Sequence, residues 1–417
     1  MRPQTSRCVV IGAGIVGLCV ADALLDRGFE VIVLERDQVL GEGCSYGNGG
    51  IVVPSHFVPL ASPDAVRAGL KMLLDSSSPF GIRGVFSLET LSFLYKFVRA
   101  ATPARVAQAS PLLMDLNLAS RGLYQDLITK FDARVGFEQR GLLMLCSTEA
   151  GLVGEQHLAE DAEKLGLKVE ILDKQGIRQL ESEMEINAMG GVFFHDDAHL
   201  TPPAFMQALL KQVETKGGQI RTGAEVSGFL VENEAIKSVV LGQEKLEADE
   251  VVLCAGVWSG HLARMLNLKM PLLAGKGYGF TLADAPKPKH PAISVESRIA
   301  VTPMLDGLRF VGTLELGPND HSISPKRLAA MKRNITSFYP DIKPKDDLQV
   351  WSGLRPCTPD GLPYLGRSEE LSNLVIAAGH AMMGMSLGPI TGKLVSEIIA
   401  GDKPSFDLAL LSPDRYD

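Results

Sequence analysis

The sequence predicts an α/β fold, α+β over its full length, in which a Rossmann-like dinucleotide-binding domain is joined to a discontinuous antiparallel-sheet domain. Two observations predict it. A glycine fingerprint, Gly12-x-Gly14-x-x-Gly17, stands between a strand-like run and a helix-like run, and strand-to-glycine turns recur at Glu250–Gly256 and Asn373–His380.

Cys8-Val9-Val10-Ile11 suits a buried parallel strand, and Ile15 to Leu25 carries helix-favouring residues without proline. Between them the chain needs one residue tolerant of positive φ. It needs a second without a Cβ where a pyrophosphate approaches, and a third where helix and strand pack closely. Gly12, Gly14 and Gly17 meet these needs, and Ile15 and Val16 begin the helix at the same contact. Gly28 ends the helix, Val31 to Leu34 reads as the second strand, and Glu35 follows roughly 20 residues after the fingerprint. A carboxylate there accepts hydrogen bonds from both ribose hydroxyls of an adenosine. It argues against a ribose phosphate, although the adjacent Arg36 keeps that alternative open.

The chain has 417 residues, 46% hydrophobic and 22% charged, enough for two ordinary cores. A net charge of −8 and the lack of a basic run with interleaved aromatics exclude nucleic acid as an expected partner. No apolar stretch reaches the ~18 residues of a spanning helix, so the expected protein is free in solution or lies on a membrane face. The first strand follows within about ten residues of the start without a basic and apolar leader pattern, so no leader is expected. Cys8, Cys19, Cys44, Cys146, Cys254 and Cys357 lie far apart without a C-x-x-C pair, which suggests reduced thiols in a cytoplasmic setting.

Cys44 to Gly50 is a small polar loop. Its Ser45, Asn48, Gly49 and Gly50 suit a second phosphate or ring contact, or an ordinary turn. Ala61 to Ala109 reads as broken helices, interrupted at Pro63, Ser76-Ser77-Ser78-Pro79 and Pro103. Within it, Leu88-x-x-Leu91-x-Phe93-Leu94-x-x-Phe97-Val98 has helical spacing. It fits core packing or, with Lys96 and Arg99, a helix against a membrane or partner. Gly141 to Cys146 reads as a strand and Glu155 to Leu165 as a helix. Thr201 looks like a helix cap before Ala204 to Lys216, which Gly217-Gly218 ends. Strands follow at Ile220–Thr222, Glu225–Phe229, Ser238–Leu241 and Glu250–Ala255. A strand-to-glycine turn after such an antiparallel insertion suits a flavin-adenine dinucleotide fold. His195-Asp196-Asp197-Ala198-His199 lacks a third ligand partner, and no metal is expected there.

Trp351 to Pro363 reads as a stiff loop with prolines on both sides of Thr358. Arg355 at its head either binds a carboxylate through its planar fork or pairs with Asp360. Asn373 to His380 is a strand into a glycine turn, and Met383-Gly384-Met385 leads into a helix whose N-terminus suits a reduced flavin's negative charge. His380 either tunes that loop or hydrogen-bonds locally.

VVIGAGIVGLCVADALLDRGFEVIVLER, SYGNGG, VVLCAGVWS and WSGLRPCTPDGLPYLG with AAGHAMMGMSLGPITGKLVSEIIAG together resemble the FAD-dependent D-amino-acid oxidase and glycine oxidase superfamily, within it the bacterial D-amino-acid dehydrogenases. The resemblance runs from the first strand almost to the C-terminus. It implies FAD held by Gly12, Gly14, Gly17 and Glu35, with Ser45 and Asn48 beside the pyrophosphate and flavin. It further implies Val226 at adenine, Ala255-Gly256 at the later dinucleotide turn, and Gly379, Gly384 and Met385 at the flavin's pyrimidine edge. Arg355 matches the arginine that binds the substrate carboxylate, and Tyr278 of Lys276-Gly277-Tyr278 is a second catalytic candidate with His380. Gly353 stands where related sarcosine oxidases carry the cysteine that attaches flavin, so the FAD is expected to be non-covalent. Ala381-Met382-Met383 replaces aromatic residues common in the dehydrogenases.

The resemblance implies oxidative deamination of D-amino acids to 2-oxo acids and ammonia, by hydride transfer from the α-carbon to flavin, with electrons passed to an acceptor such as quinone. It leaves open a D-proline or D-hydroxyproline dehydrogenase and a glycine or sarcosine oxidase. A non-catalytic FAD-binding subunit is the alternative of another class. Peripheral contact with the inner membrane face accords with a quinone acceptor. The motifs place the FAD-binding domain at 1–60, 198–265 and 346–417, and the substrate-binding domain at 61–197 and 266–345.

Overall fold

The computed structural model describes residues 6–41, 43–72, 78–84, 87–317 and 320–416, so the expected interruption at Ser76 and Ser77 lies outside the described residues. Five parallel strands form the first sheet in the order Leu374–Ala378, Glu250–Leu253, Arg7–Ile11, Glu30–Leu34, Gln219–Arg221, and Tyr364–Arg367 runs antiparallel on one edge. In three of these strands the last four residues form a buried apolar run because both faces of the sheet are covered. Helices Ile15–Leu25, Pro103–Ile128, Pro202–Thr215 and Gly384–Ala400 pack on one face. Gly392 brings the last of these against the first: a Cβ there would lie 2.6 Å from the carbonyl carbon of Cys19. The other face carries an antiparallel ribbon of Gly228–Glu232, Ala235–Leu241 and Glu244–Glu247, and the short helix Ser259–Met265.

The second sheet is mixed and mostly antiparallel. Its order is Trp351–Cys357, Leu273–Leu282, Gly307–Leu316, Ile299–Met304, Ala292–Ser294, Leu142–Cys146, Gly190–Phe194, Val169–Asp173, with Phe80–Ile82 paired beside Gly307–Leu316. Helix Pro325–Phe338 closes one face over Phe280, Leu308 and Phe310. A two-strand ladder, Ile51–Val52 against Ala198–His199, ties the loop after the second parallel strand to the segment between the sheets.

Several local expectations change. Trp351–Cys357 is a strand, not a loop. Pro356 is accommodated because this strand is the edge of its sheet. That strand belongs to the second sheet although it falls in 346–417, and helix Pro103–Ile128, from 61–197, packs into the core of the first. Thr201 makes no capping bond; its Oγ1 accepts from Leu305 N at 2.9 Å. The strand expected at Glu225 begins only at Gly228. Helix Leu88–Ala100 splits its apolar residues: Phe93 is buried, whereas Leu88, Leu91, Tyr95 and Val98 face out. Among the described residues no helix is long and apolar enough to cross a membrane, and no His, Cys, Asp and Glu group could hold a metal.

Candidate active site

A cleft of about 850 Å³ crosses the carboxyl ends of the parallel strands. Gly12 turns into it at φ +109, where a Cβ would lie 2.6 Å from Cys254 O, and Gly17 supports it from behind, with no room for a side chain against Gly12 O. Gly14 is the extended N-cap of the first helix and offers no side-chain cap, so the helix N-terminus opens on the cleft with its partial positive charge. Ile15 N donates to Ser45 Oγ at 2.9 Å. Glu35 accepts from Ala13 N at 2.9 Å and from Asp37 N at 3.2 Å, so the carboxylate fixes the turn as well as facing the cleft.

Val16, Arg36, Asn48, Val226, Ala255, Gly256, Gly379, His380, Gly384 and Met385 also line the cleft, whereas Gly17, Gly49, Gly50, Gly353, Tyr278 and Arg355 do not. Gly353 is covered by the Trp351 indole. Arg36 lies 3.5 Å above the ring of Trp258, a cleft residue within the motif VVLCAGVWS. The loop of Ser45 to Gly50 is held from the second sheet. Arg309 Nη1 donates to Tyr46 O at 2.9 Å and Asn48 O at 3.2 Å, and Thr302 Oγ1 donates to Gly49 O at 2.7 Å. These two anchors lie some 250 residues from the loop in sequence, beyond the reach of a local pattern.

Arg355 projects from the edge strand onto Gly277 of its neighbour, where a Cβ would fall 2.5 Å from the guanidinium carbon. Its Nη1 donates to Thr313 O at 2.9 Å. Among the described residues no carboxylate pairs with it, because Asp360 is taken by Arg415 at 2.7 and 3.0 Å. Burial lowers the guanidinium pKa from its usual value. A desolvated cation with one neutral partner is an anion receptor, since leaving such a charge uncompensated is costly.

The other two catalytic candidates are placed differently. Tyr278 follows Gly277 and therefore points to the opposite face of the sheet, where its hydroxyl donates to buried Glu315 and accepts from Ser324 N at 3.1 Å. Burial, reinforced by Glu315, pushes this phenol up to about 12. Tyr278 is thus not brought to Arg355. His380 lines the cleft, but its Nε2 meets Thr391 Oγ1 at 3.0 Å, and burial lowers the ring to about 4, so it is neutral at physiological pH.

The open helix N-terminus, the Glu35 acceptor and the run of cleft from Val226 to Gly379 fit an extended dinucleotide with a ring system at the far end. Fold and site thus define a dinucleotide-binding flavoprotein oxidoreductase. The chain belongs to the FAD dependent oxidoreductase family, whose description matches residues 7–398. It is 28% identical over 392 residues to a D-amino acid dehydrogenase of Helicobacter pylori, covering 94% of each chain. It is 27% identical over 416 residues to a D-amino acid dehydrogenase of Bradyrhizobium diazoefficiens, covering 98% of this chain and 99% of the relative. Its fold is similar to that of glycine oxidase from Geobacillus kaustophilus, with TM-score 0.77, 21% identity, and 99% and 100% of the two chains covered. L-proline dehydrogenase from P. horikoshii gives TM-score 0.76 at 21% identity, with 99% and 98% covered. FAD is the cofactor.

Proposed function

We propose that this protein is an FAD-dependent D-amino-acid dehydrogenase that oxidises the amino acid at its α-carbon, the product hydrolysing to a 2-oxo acid and ammonia. The observation that carries this reading is Arg355, a part-buried guanidinium without a carboxylate partner among the described residues; it stands between the cleft-lining Leu354 and Pro356 and is not itself part of that lining. The relatives named D-amino acid dehydrogenase, matched over nearly their whole length, support the substrate class. Gly12, Gly14, Glu35 and Val226 would hold the adenosine and pyrophosphate, and Gly379, Gly384 and Met385 the flavin ring. The bound flavin supplies the two-electron acceptor for the α-hydrogen.

Arg355 fixes the substrate carboxylate and so orients the α-carbon, and such positioning alone accounts for several kcal/mol of a barrier, up to ~7–11. Neutral His380 avoids a positive charge beside the amine that must lose its proton. Attachment of the flavin is non-covalent in this reading. Gly353 offers no thiol, and burial pushes Cys44 and Cys357 up to about 11 and about 12, so neither supplies a thiolate.

The acceptor is read as a quinone at the inner membrane face. The exposed row Leu88, Leu91, Tyr95 and Val98 supports that contact, since it lies on the helix whose inward Phe93 shares an apolar cluster with Cys357, two residues from Arg355. Anaerobic spectra of the flavin before and after D- and L-amino acids, D-proline, cis-D-hydroxyproline, glycine and sarcosine test the substrate. Bleaching by D-amino acids is expected; bleaching by glycine or sarcosine alone moves the function to an oxidase of those substrates, and none at all to a non-catalytic flavin-binding subunit. Flotation with anionic vesicles, lost in Leu91→Glu/Tyr95→Glu, tests the membrane contact.

A further inference from the structure

The strand Gly307–Leu316 breaks register opposite the arginine. Gly312 pairs with Tyr278 and Glu315 with Lys276, which leaves Thr313 and Leu314 facing the single residue Gly277. This is a β-bulge, and Thr313 takes φ +65 in it, a left-handed conformation that glycine fills readily and a β-branched residue avoids. The side chain is unfavourable as well: Thr313 is 7% exposed and its Oγ1 is buried without a hydrogen-bond partner among the described residues. Glycine at this position would remove both penalties and still present the carbonyl that holds Arg355. Strain and an orphan donor on the residue that touches the anion receptor point to a role for the hydroxyl.

We propose that the Thr313 hydroxyl is a second donor to the anion that Arg355 receives, and hence a specificity-determining contact to the substrate carboxylate; this rests on the carboxylate reading of Arg355 above. Thr313 O accepts from Arg355 Nη1 at 2.9 Å, which sets the two residues side by side at the bulge. A carboxylate has two oxygens with about four acceptor positions, more than one guanidinium edge fills. The hydroxyl gains its partner only when the carboxylate arrives. The bulge thus aims the carbonyl at the arginine and keeps the hydroxyl for the ligand.

The test uses the FAD-loaded enzyme and propionate, a carboxylate without an amine, titrated by calorimetry. Thr313→Val keeps the shape and removes only the hydroxyl; propionate should bind about tenfold or more weakly, as for loss of a hydrogen bond to a charged group. The unliganded variant should unfold at the same temperature as wild type or higher, because a methyl replaces an unpaired hydroxyl. Thr313→Ser should bind like wild type. If Thr313→Val fails to fold, Thr313→Gly takes its place, with the same loss of affinity expected. Wild-type affinity in the variant lacking the hydroxyl, alongside loss in Arg355→Met, overturns the proposal. Equal losses in the Ser and Val variants also overturn it, since they assign packing. Wild-type affinity in Arg355→Met would instead overturn the carboxylate reading itself.

Discussion

Gly277→Ala should disable the enzyme without unfolding it. The glycine needs no special backbone conformation, as its φ lies outside the left-handed region, and the new Cβ would meet a side-chain tip rather than backbone. That Cβ would stand 2.5 Å from the Arg355 guanidinium carbon, against 3.4 Å or more in ordinary contact, so the guanidinium must retreat by about 1 Å. It is held by Thr313 O at 2.9 Å and is partly buried, so a retreat gives up that bond or its alignment with the carboxylate. One charge-assisted hydrogen bond is worth ~1.5–3 kcal/mol, and a misplacement of ~1 Å costs up to ~100-fold in rate. kcat/KM with the best D-amino acid and a dye acceptor should therefore fall ~10–100-fold. Flavin content and unfolding temperature should stay near wild type. A variant with unchanged kcat/KM would show that Arg355 does not meet the substrate from beside Gly277.

Gly17→Ala places a side chain against Gly12 O, inside the fingerprint turn, and should yield protein without flavin absorbance or no soluble protein. Arg309→Met removes the donors to Tyr46 O and Asn48 O; flavin should dissociate about tenfold or more readily, read by fluorescence on dilution, with little change in fold. Asp197 gives a pH signature. Burial raises its carboxyl to about 7 despite bonds from Ser55 N and Oγ at 3.0 and 2.5 Å. The native state thus holds a proton that the unfolded chain has released, and stability falls as pH rises from about 4 to about 7, then stays level. Relative to Asp197→Asn, the wild type should lose ~2–3 kcal/mol between pH 5 and pH 8 in denaturant titrations, and parallel curves would contradict the assignment. The comparison cancels the neutral buried His199 and His380, whose lowered values near 4 act with the opposite sign.

What the sequence determined by itself was the chemistry of short contiguous segments. Gly12, Gly14, Gly17 and Glu35 carry their roles in local geometry: a positive φ, an uncapped helix N-terminus and a carboxylate at a strand end are set within about 25 residues. The parallel strands were legible because burial on both faces leaves an uninterrupted apolar run. Tertiary structure decided everything that depends on which face of a strand meets which neighbour. Arg355 was visible as a cation on a rigid segment, but only the pairing of its strand with Leu273–Leu282 sets it on Gly277 and turns Tyr278 to the far side, because a strand alternates its side chains. Asp360 pairs with Arg415, and Arg355 is left without a carboxylate among the described residues. Arg309, Thr302 and the bulge at Thr313 reach the site from distant parts of the chain. Their contacts arise from sheet register and the closure of long loops, and no spacing along the sequence encodes them.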